Sequence, residues 1–526
     1  MKKAFLKSIL LSTLTLVSLF SCGDGFKFIF SGLDKPSKDN TQFTNSTDIN
    51  ENNTSRQDDK KSNSDDQSNI DDGSEFTIFS INDFHGKIEA TNAYNGLLAL
   101  QGAIRGNPKY TEDSPIVSAG DMWQGTYVSG FDKGESLTKL MNDFPISAMA
   151  LGNHEFDWGF SRIESNQNEA NYPFLCANLI QKSTKKRPDS IKDHIVLDID
   201  GFKLGVVGAM GAELESSIKS SRIEDFEFSN DTNLLNNAIT SCEKEGAKST
   251  ILVLHDDKDS TYTNTIQNSK LNFKGIFGGH SHSFQLEKSN SIIPYVQGGC
   301  DSNGYSYMTF SKTTGALKDI NYVNVDSSMA SNATMDLTQK TNNLINSIPT
   351  IIYGESKGRW NKTNTTNFVL QAMFYAAKKN YPDKNYTTKT LVALHNNSGI
   401  RGSFTSGQMT NKTVQTVSPF DNVVTILPNR EVNGALLETV GSGQKRPYCT
   451  SYPNSSSWTT KRTMDIVTID YLVSDRYSAA LSPTKPTPAI NLENDQGEDY
   501  IIYDVVADYI KYLCQDGNVI NAADYN

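Results

Sequence analysis

Long apolar runs are missing from this chain, and so is any surplus of positive charge. The longest hydrophobic stretch, Ile9 to Phe20, is roughly a dozen residues, too short to span a bilayer as a helix. Lysine and arginine total 49 against 60 aspartates and glutamates, a formal charge of −11, which argues against sequence-independent binding of nucleic acid through a basic face. Cysteine is scarce: there are six in 526 residues, with no Cys-x-x-Cys pair. Those after Cys22 (Cys176, Cys242, Cys300, Cys449, Cys514) are odd in number and widely spaced, which indicates neither a disulfide scaffold nor a thiolate metal site. A small anionic ligand stays open, because a bound cation can reverse the local field.

What is present divides the chain. A length of 526 residues exceeds what one core organises, so two domains plus appendages are expected. Lys2, Lys3 and Lys7 precede the short apolar run, and Leu19-Phe20-Ser21-Cys22 closes it. Residues 1–22 thus read as a bacterial export signal of the lipoprotein type, with Cys22 as the acylated N-terminus; the alternative is an ordinary cleaved signal with an incidental cysteine. Residues 23–74, dominated from Ser31 by Asn, Asp, Ser, Lys and Thr, read as a disordered tether. A flexible tether of about 45 residues spans about 35–40 Å, enough to hold a folded body clear of a membrane. The expected location is therefore the bacterial cell envelope, periplasmic or cell-surface, with a lipid anchor in the membrane.

From Glu75 one pattern recurs: a short apolar run ends in a polar cluster. Phe76 to Ile81 leads to Asn82-Asp83-Phe84-His85, and Pro115-Ile116-Val117 to Gly120-Asp121. Ile146 to Leu151 leads to Gly152-Asn153-His154, Ile251 to Leu254 to His255, and Gly275-Ile276-Phe277 to Gly279-His280-Ser281-His282. Such runs read as strands of a layered α/β sheet, whose ligands collect beyond the carboxyl ends. Five strand ends bearing His, Asp and Asn imply one shared site. Residues 75–326 form the expected first domain. Residues 327–349 hold a connecting helix, and residues 350–526 carry apolar segments enough for a second α/β domain.

The ligand types Asp83, His85, Asp121, Asn153, His255, His280 and His282 suit two divalent cations such as Mn, Zn or Co rather than an all-oxygen calcium site. Alternate residues of an extended segment face one way, so Asp-x-His and His-x-His each offer two ligands to one side. Asp121, isolated after a glycine turn, is the candidate bridge between the ions. His154 follows Asn153 and suits an electrophilic or acid role, with Asp157 three residues on to hold one ring nitrogen and raise the imidazolium fraction.

In this order and spacing, Asp83-x-His85, Gly120-Asp121, Gly152-Asn153-His154-Glu155, His255 and Gly279-His280-x-His282 resemble the calcineurin-like metallophosphoesterases. GDMWQGTYVS at 120–129 and GNHEFDWG at 152–159 resemble more closely the secreted bacterial 5′-nucleotidase and UDP-sugar hydrolase family. The resemblance implies a four-layer α/β-β/α sandwich joined by a helix to an α/β substrate-binding domain. It extends into the second domain through NNSGIRGSF at 396–404, PFDN at 419–422 and GRWNKTNTTNFVLQAM at 358–373. By that likeness Arg359 and Arg401 hold the phosphate end of the substrate, Asn396 lies beside the nucleoside, and Phe420 and Tyr471 supply stacking rings, with Asp475 as the counterpart of a family aspartate. The chain departs from the family in lacking a Gly-Gly-Asp-Gly turn near Tyr471. It also departs in carrying Asp256-Asp257 after His255, extra negative charge expected near the metals.

The activity so implied is release of phosphate and nucleoside from nucleotides, by in-line attack of a metal-held hydroxide without a phosphoenzyme. Two dications, less the charges of Asp83, Asp121 and the hydroxide, leave roughly +1 to attract a phosphate dianion. The partners expected are nucleotides and the membrane, with no nucleic-acid polymer and no protein partner. The alternatives are a UDP-sugar hydrolase or cyclic-nucleotide phosphodiesterase on the same centre, and a surface binding protein without turnover.

Overall fold

The computed structural model describes residues 73–92, 94–289, 292–387, 390–432, 447–449, 462–474 and 489–526. The signal segment with Cys22, nearly all of the tether, and Asp475 lie outside the described residues.

Two six-stranded sheets form the first half. In spatial order one runs Leu317–Asn324, Gly304–Ser311, Glu75–Ile81, Ile116–Ser118, Ile146–Ala150 and Phe174–Leu175. The other runs Phe284–Glu287, Tyr295–Gly298, Ile276–Gly278, Ser249–His255, Phe202–Met210 and His194–Ile199. The central strands pair in parallel; antiparallel partners close both edges of the second sheet and one edge of the first, whose other edge, Phe174–Leu175, is parallel.

Side-chain alternation sorts each strand between two cores. Ile78, Ile251, Val253, Leu204 and Val206 face the other sheet, in one cluster with Val117, Phe277 and Met308. Their neighbours turn outward: Phe79 and Ile81 meet Leu97, Leu100 and Ile104 of the helix Gly96–Arg105, while Leu252 and Leu254 meet Leu235, Ala238 and Ile239 of the helix Asn233–Lys244. Helices, sheet, sheet and helices therefore make four layers, and the doubly covered strands are the continuous apolar runs of the sequence. Each fully buried Ile or Val contributes about 1.5–3 kcal/mol to holding them together.

The helix Met335–Ser347 follows, capped by the Thr334 hydroxyl on the Leu337 N–H. Beyond it lies a separate core built on a five-stranded sheet, Pro447–Cys449, Leu391–Asn396, Arg462–Ile469, Val424–Val432 and Ile490–Asn491. The helices Lys362–Asn380 and Ile502–Leu513 pack on it through Phe368, Val369, Met373, Val505 and Val506. Residues 73–526 form one compact unit.

One clasp on the edge of the second sheet is titratable. His194 bonds Asp193 Oδ1 at 2.7 Å and Glu245 Oε1, just past the helix Asn233–Lys244, at 3.1 Å. The Asp193 bond raises the His194 pKa above its ordinary 6.5, burial opposes this, and Glu245 adds to the rise. A histidine raised in the folded state stabilises fully below its unfolded pKa and loses that contribution as pH climbs through the folded value. The melting temperature of the wild-type protein is therefore expected to fall, relative to His194→Gln, as pH rises above 6.5; parallel curves for the two proteins would show that the clasp contributes nothing.

Candidate metal centre

All five central strands deliver their polar ends to one place. Asp83, His85, Asp121, His280 and His282 each hold a positive φ, between 48° and 77°, a backbone region few non-glycine residues adopt. Such strain, gathered on chemistry-bearing side chains, marks a site that the surrounding fold enforces. Gly120 makes the turn at φ +86°, and a Cβ there would stand 2.6 Å from the Gly152 nitrogen. Gly152 itself is extended, with φ −102° and ψ −178°; its need for glycine is contact, since a Cβ would lie 2.3 Å from Asp121 Oδ1.

Two donor groups result. Ligand atoms of Asp83, His85, Asp121 and His282 lie within 4.8 Å of one another, and so do those of Asp121, His255 and His280. Asp121 belongs to both. Its Oδ1 accepts the His154 backbone N–H at 2.8 Å, and the buried Oδ2 lies 3.2 Å from His255 Nε2. Asn153 Oδ1 joins the second group, 3.2 Å from His255 Nε2 and 3.0 Å from His280 Nδ1.

Backbone carbonyls set the tautomers. The Ala119 oxygen accepts a hydrogen bond from His255 Nδ1–H at 2.7 Å, and the Gln124 oxygen one from His85 Nδ1–H at 2.8 Å. In the neutral rings this leaves Nε2 lone pairs aimed at acceptors: His255 Nε2 at Asp121 Oδ2, 3.2 Å away, and His85 Nε2 at His282 Nε2, 2.9 Å away. Lone pairs and carboxylates converging in a dry site repel unless a cation stands between them, so the donor set fits divalent metals of the nitrogen- and oxygen-binding kind. Protons fill that role in the bare chain. Burial disfavours the His255 cation, but Asp121 outweighs it and pushes the pKa up to about 10, while burial pushes Asp83 up to about 7. Metal binding must displace such protons, so affinity falls in acid.

Supporting groups carry less visible signals. Glu155 accepts three backbone N–H groups, from Asp121 at 2.9 Å, Met122 at 2.8 Å and Gly152 at 2.7 Å, tying two strand ends together. Asn82 donates to Asp83 Oδ2 at 2.7 Å and to the Gly299 oxygen at 2.6 Å. Neither Asn82 nor the Gln124 carbonyl was among the residues singled out from the sequence; the only sign of Asn82 was its place beside Asp83. Asp256, next to His255, is in neither ligand group: its buried carboxyl bonds the Ser260 hydroxyl, the Thr263 hydroxyl at 3.0 Å and the Asp257 N–H at 2.9 Å, organising the start of the helix Thr261–Asn268.

His154 stands at the border with the second half. Asp157 Oδ2 is 2.8 Å from Nδ1, and Arg401 Nη2 is 3.0 Å from Nε2. Burial draws the His154 pKa down, but Asp157 and Asp121 together prevail and raise it. The Phe420 ring lies against His154 at 5.5 Å and 27°, with the Arg401 guanidinium 5.3 Å above that ring. Further ties across this border are Gln124 Nε2 to the Pro419 oxygen at 2.8 Å, Arg222 to Asp421 at 3.5 Å, and Lys219 to Asp470.

The structure thus brings together the seven candidate ligands, His154, Asp157, Arg401 and Phe420. Arg359 is exposed in the turn before the helix Lys362–Asn380, and among the described residues no side-chain contact joins it to the others. Asn396 is buried, with Nδ2 on Ser398 Oγ at 3.0 Å and Oδ1 without a donor. Tyr471 packs half-buried on the second core.

Comparison with known proteins matches residues 76–284 to the family described as calcineurin-like phosphoesterase, and residues 342–446 to the 5′-nucleotidase, C-terminal domain. A snake venom 5′-nucleotidase of Crotalus adamanteus is 24% identical over 415 residues, 69% of this chain and 69% of its own length. A cell wall protein of Listeria monocytogenes is 24% identical over 446 residues, 68% of this chain and 54% of its own length, so the chain spans about half of that relative. A 5′-nucleotidase precursor from Thermus thermophilus shares the fold, with a TM-score of 0.65 at 17% identity over 85% of this chain and 99% of that one.

Proposed function

The chain belongs to the family that joins a calcineurin-like phosphoesterase to a 5′-nucleotidase C-terminal domain, a family of metal-dependent phosphoester hydrolases, and from that premise we propose that it is an extracytoplasmic 5′-nucleotidase. The observation that carries the reading is the fully buried Asp121 carboxylate, common to both ligand groups. Asp83, His85, Asp121 and His282 would hold one cation, and Asp121, Asn153, His255 and His280 the other. When bound, divalent cations polarise phosphoryl oxygens and acidify water.

The chain's own residues do the rest. Arg401 and His154 present two nitrogens 3.0 Å apart, and an entering phosphate oxygen takes the place of this contact, accepting from both. Asp157 then holds the proton on Nδ1 and favours the imidazolium, so that Nε2 donates to oxygen as negative charge builds on the phosphoryl group or leaving alkoxide. Phe420, beside His154 and Arg401, supplies an aromatic ring on which any purine or pyrimidine can stack.

The nucleotide reading rests on the second domain and on the relatives named 5′-nucleotidase. The envelope location rests on the apolar segment before Cys22 and on the likeness to a cell wall protein. The test is hydrolysis by Mn-loaded protein of AMP, UMP, ATP, UDP-glucose and a cyclic nucleotide, with the products separated by chromatography, because UDP-glucose and the cyclic nucleotide first yield a nucleoside monophosphate rather than phosphate. AMP or UMP is expected to be the best substrate, with activity lost to a chelator; preference for UDP-glucose or the cyclic nucleotide would replace the substrate, and no hydrolysis of any of them would end the reading.

A further inference from the structure

Lys362 opens the helix Lys362–Asn380 and is partly buried, yet no carboxylate neutralises it. Its Nζ donates to the carbonyl oxygen of Ile400, the residue before Arg401. Arg401 in turn reaches the catalytic His154. Among the described residues neither cation has an acidic partner. Two neighbouring positive groups withdrawn from water, with no anion between them, are costly in the free protein. Such a pair makes physical sense as a place prepared for an anion that arrives from outside. Arg359, three residues earlier, is exposed.

We propose that Lys362 is a substrate-binding residue, forming with Arg401 a two-cation subsite for the anionic oxygens of a phosphate ester and of the phosphate product, in the role the resemblance gave to Arg359. The inference rests on the phosphohydrolase reading and deepens it. Lys362 carries a further signature. Burial, then the charge of Arg401, hold its pKa down to about 8, so the subsite loses one of its charges just above neutrality. The charged and titratable groups facing it are the Arg401 guanidinium and His395, which burial chiefly and Lys362 secondarily keep at about 4 and hence neutral throughout. A neutral lysine can still donate to the Ile400 carbonyl, so charge and local support separate by pH.

The experiment uses full-length Mn-loaded protein, with p-nitrophenyl phosphate as the ester and inorganic phosphate, by calorimetry, as the ligand. A charge-assisted contact corresponds to about 10–100-fold in affinity. Lys362→Met is therefore expected to raise KM and the phosphate dissociation constant by about that factor, with kcat changed less than about threefold, and Lys362→Arg to restore both. Above pH 8, phosphate affinity should fall more steeply in wild type than in Lys362→Arg. Unchanged phosphate binding in Lys362→Met, equal impairment in both variants, or superimposable pH curves for wild type and Lys362→Arg would each overturn the proposal. The pH comparison needs only the conservative variant, so it decides even if Lys362→Met fails to fold. Should wild type turn over no phosphate ester, the phosphohydrolase reading fails, while calorimetry still reports on the subsite.

Discussion

Alanine at His154 is expected to leave the metal content of the protein intact and to lower kcat by about 10²–10⁴-fold, the range of a positioned acid or electrophile. The separation of the two effects follows from the geometry. What His154 contributes to the ligand groups is its backbone N–H, which donates to Asp121 Oδ1 at 2.8 Å and survives the substitution. What it contributes to chemistry is the ring, held by Asp157 at 2.8 Å and meeting Arg401 at 3.0 Å. Losing the ring removes a donor aimed at the developing charge, and a donor of this kind counts far more in a dry site than in water. Metal analysis and steady-state kinetics on one preparation decide the matter: unchanged kcat, or lost metal, would remove His154 from this role.

Asp121→Asn is expected to be worse, and in a different way. Both ligand groups use Asp121, and its carboxylate is the one charge they share. An amide is nearly the same shape but neutral, and it turns either an oxygen or an NH2 toward the cations. Activity should fall well beyond the 10–100-fold typical of losing a group that merely supports a ligand. Metal content should fall with it. Asp256→Asn is the control. Its carboxylate bonds the Ser260 and Thr263 hydroxyls and is no ligand, so metal content should hold.

The candidate ligands were legible because two sequence signals coincide in this fold. A parallel strand covered on both faces must be apolar throughout, and its carboxyl end is where the chain can afford polar side chains. Ser249–His255 shows both: seven buried residues, with Ile251 to Leu254 apolar and the last of the seven a candidate ligand. Residue type then narrowed the chemistry. What escaped was whatever depends on backbone or on exact direction. The carbonyls of Ala119 and Gln124 fix two histidine tautomers, yet a carbonyl has no letter in a sequence. Gly152 is extended, and what requires glycine there is the Asp121 carboxylate pressed against it, which no residue pattern announces. Asp256 adjoins a candidate ligand in the sequence, yet its side chain organises the start of a helix. Arg359 and Lys362 are three residues apart, and only the point at which the helix begins decides which is exposed and which is tucked against the Arg401 loop.

The central claim is that one buried carboxylate joins two cation sites in this chain. Native mass spectrometry of Mn-loaded protein, wild type beside Asp121→Asn, tests it most directly. Two ions per wild-type chain, with occupancy of both sites reduced in the variant, is the result expected. A single ion per wild-type chain, or two ions retained in the variant, would contradict the claim.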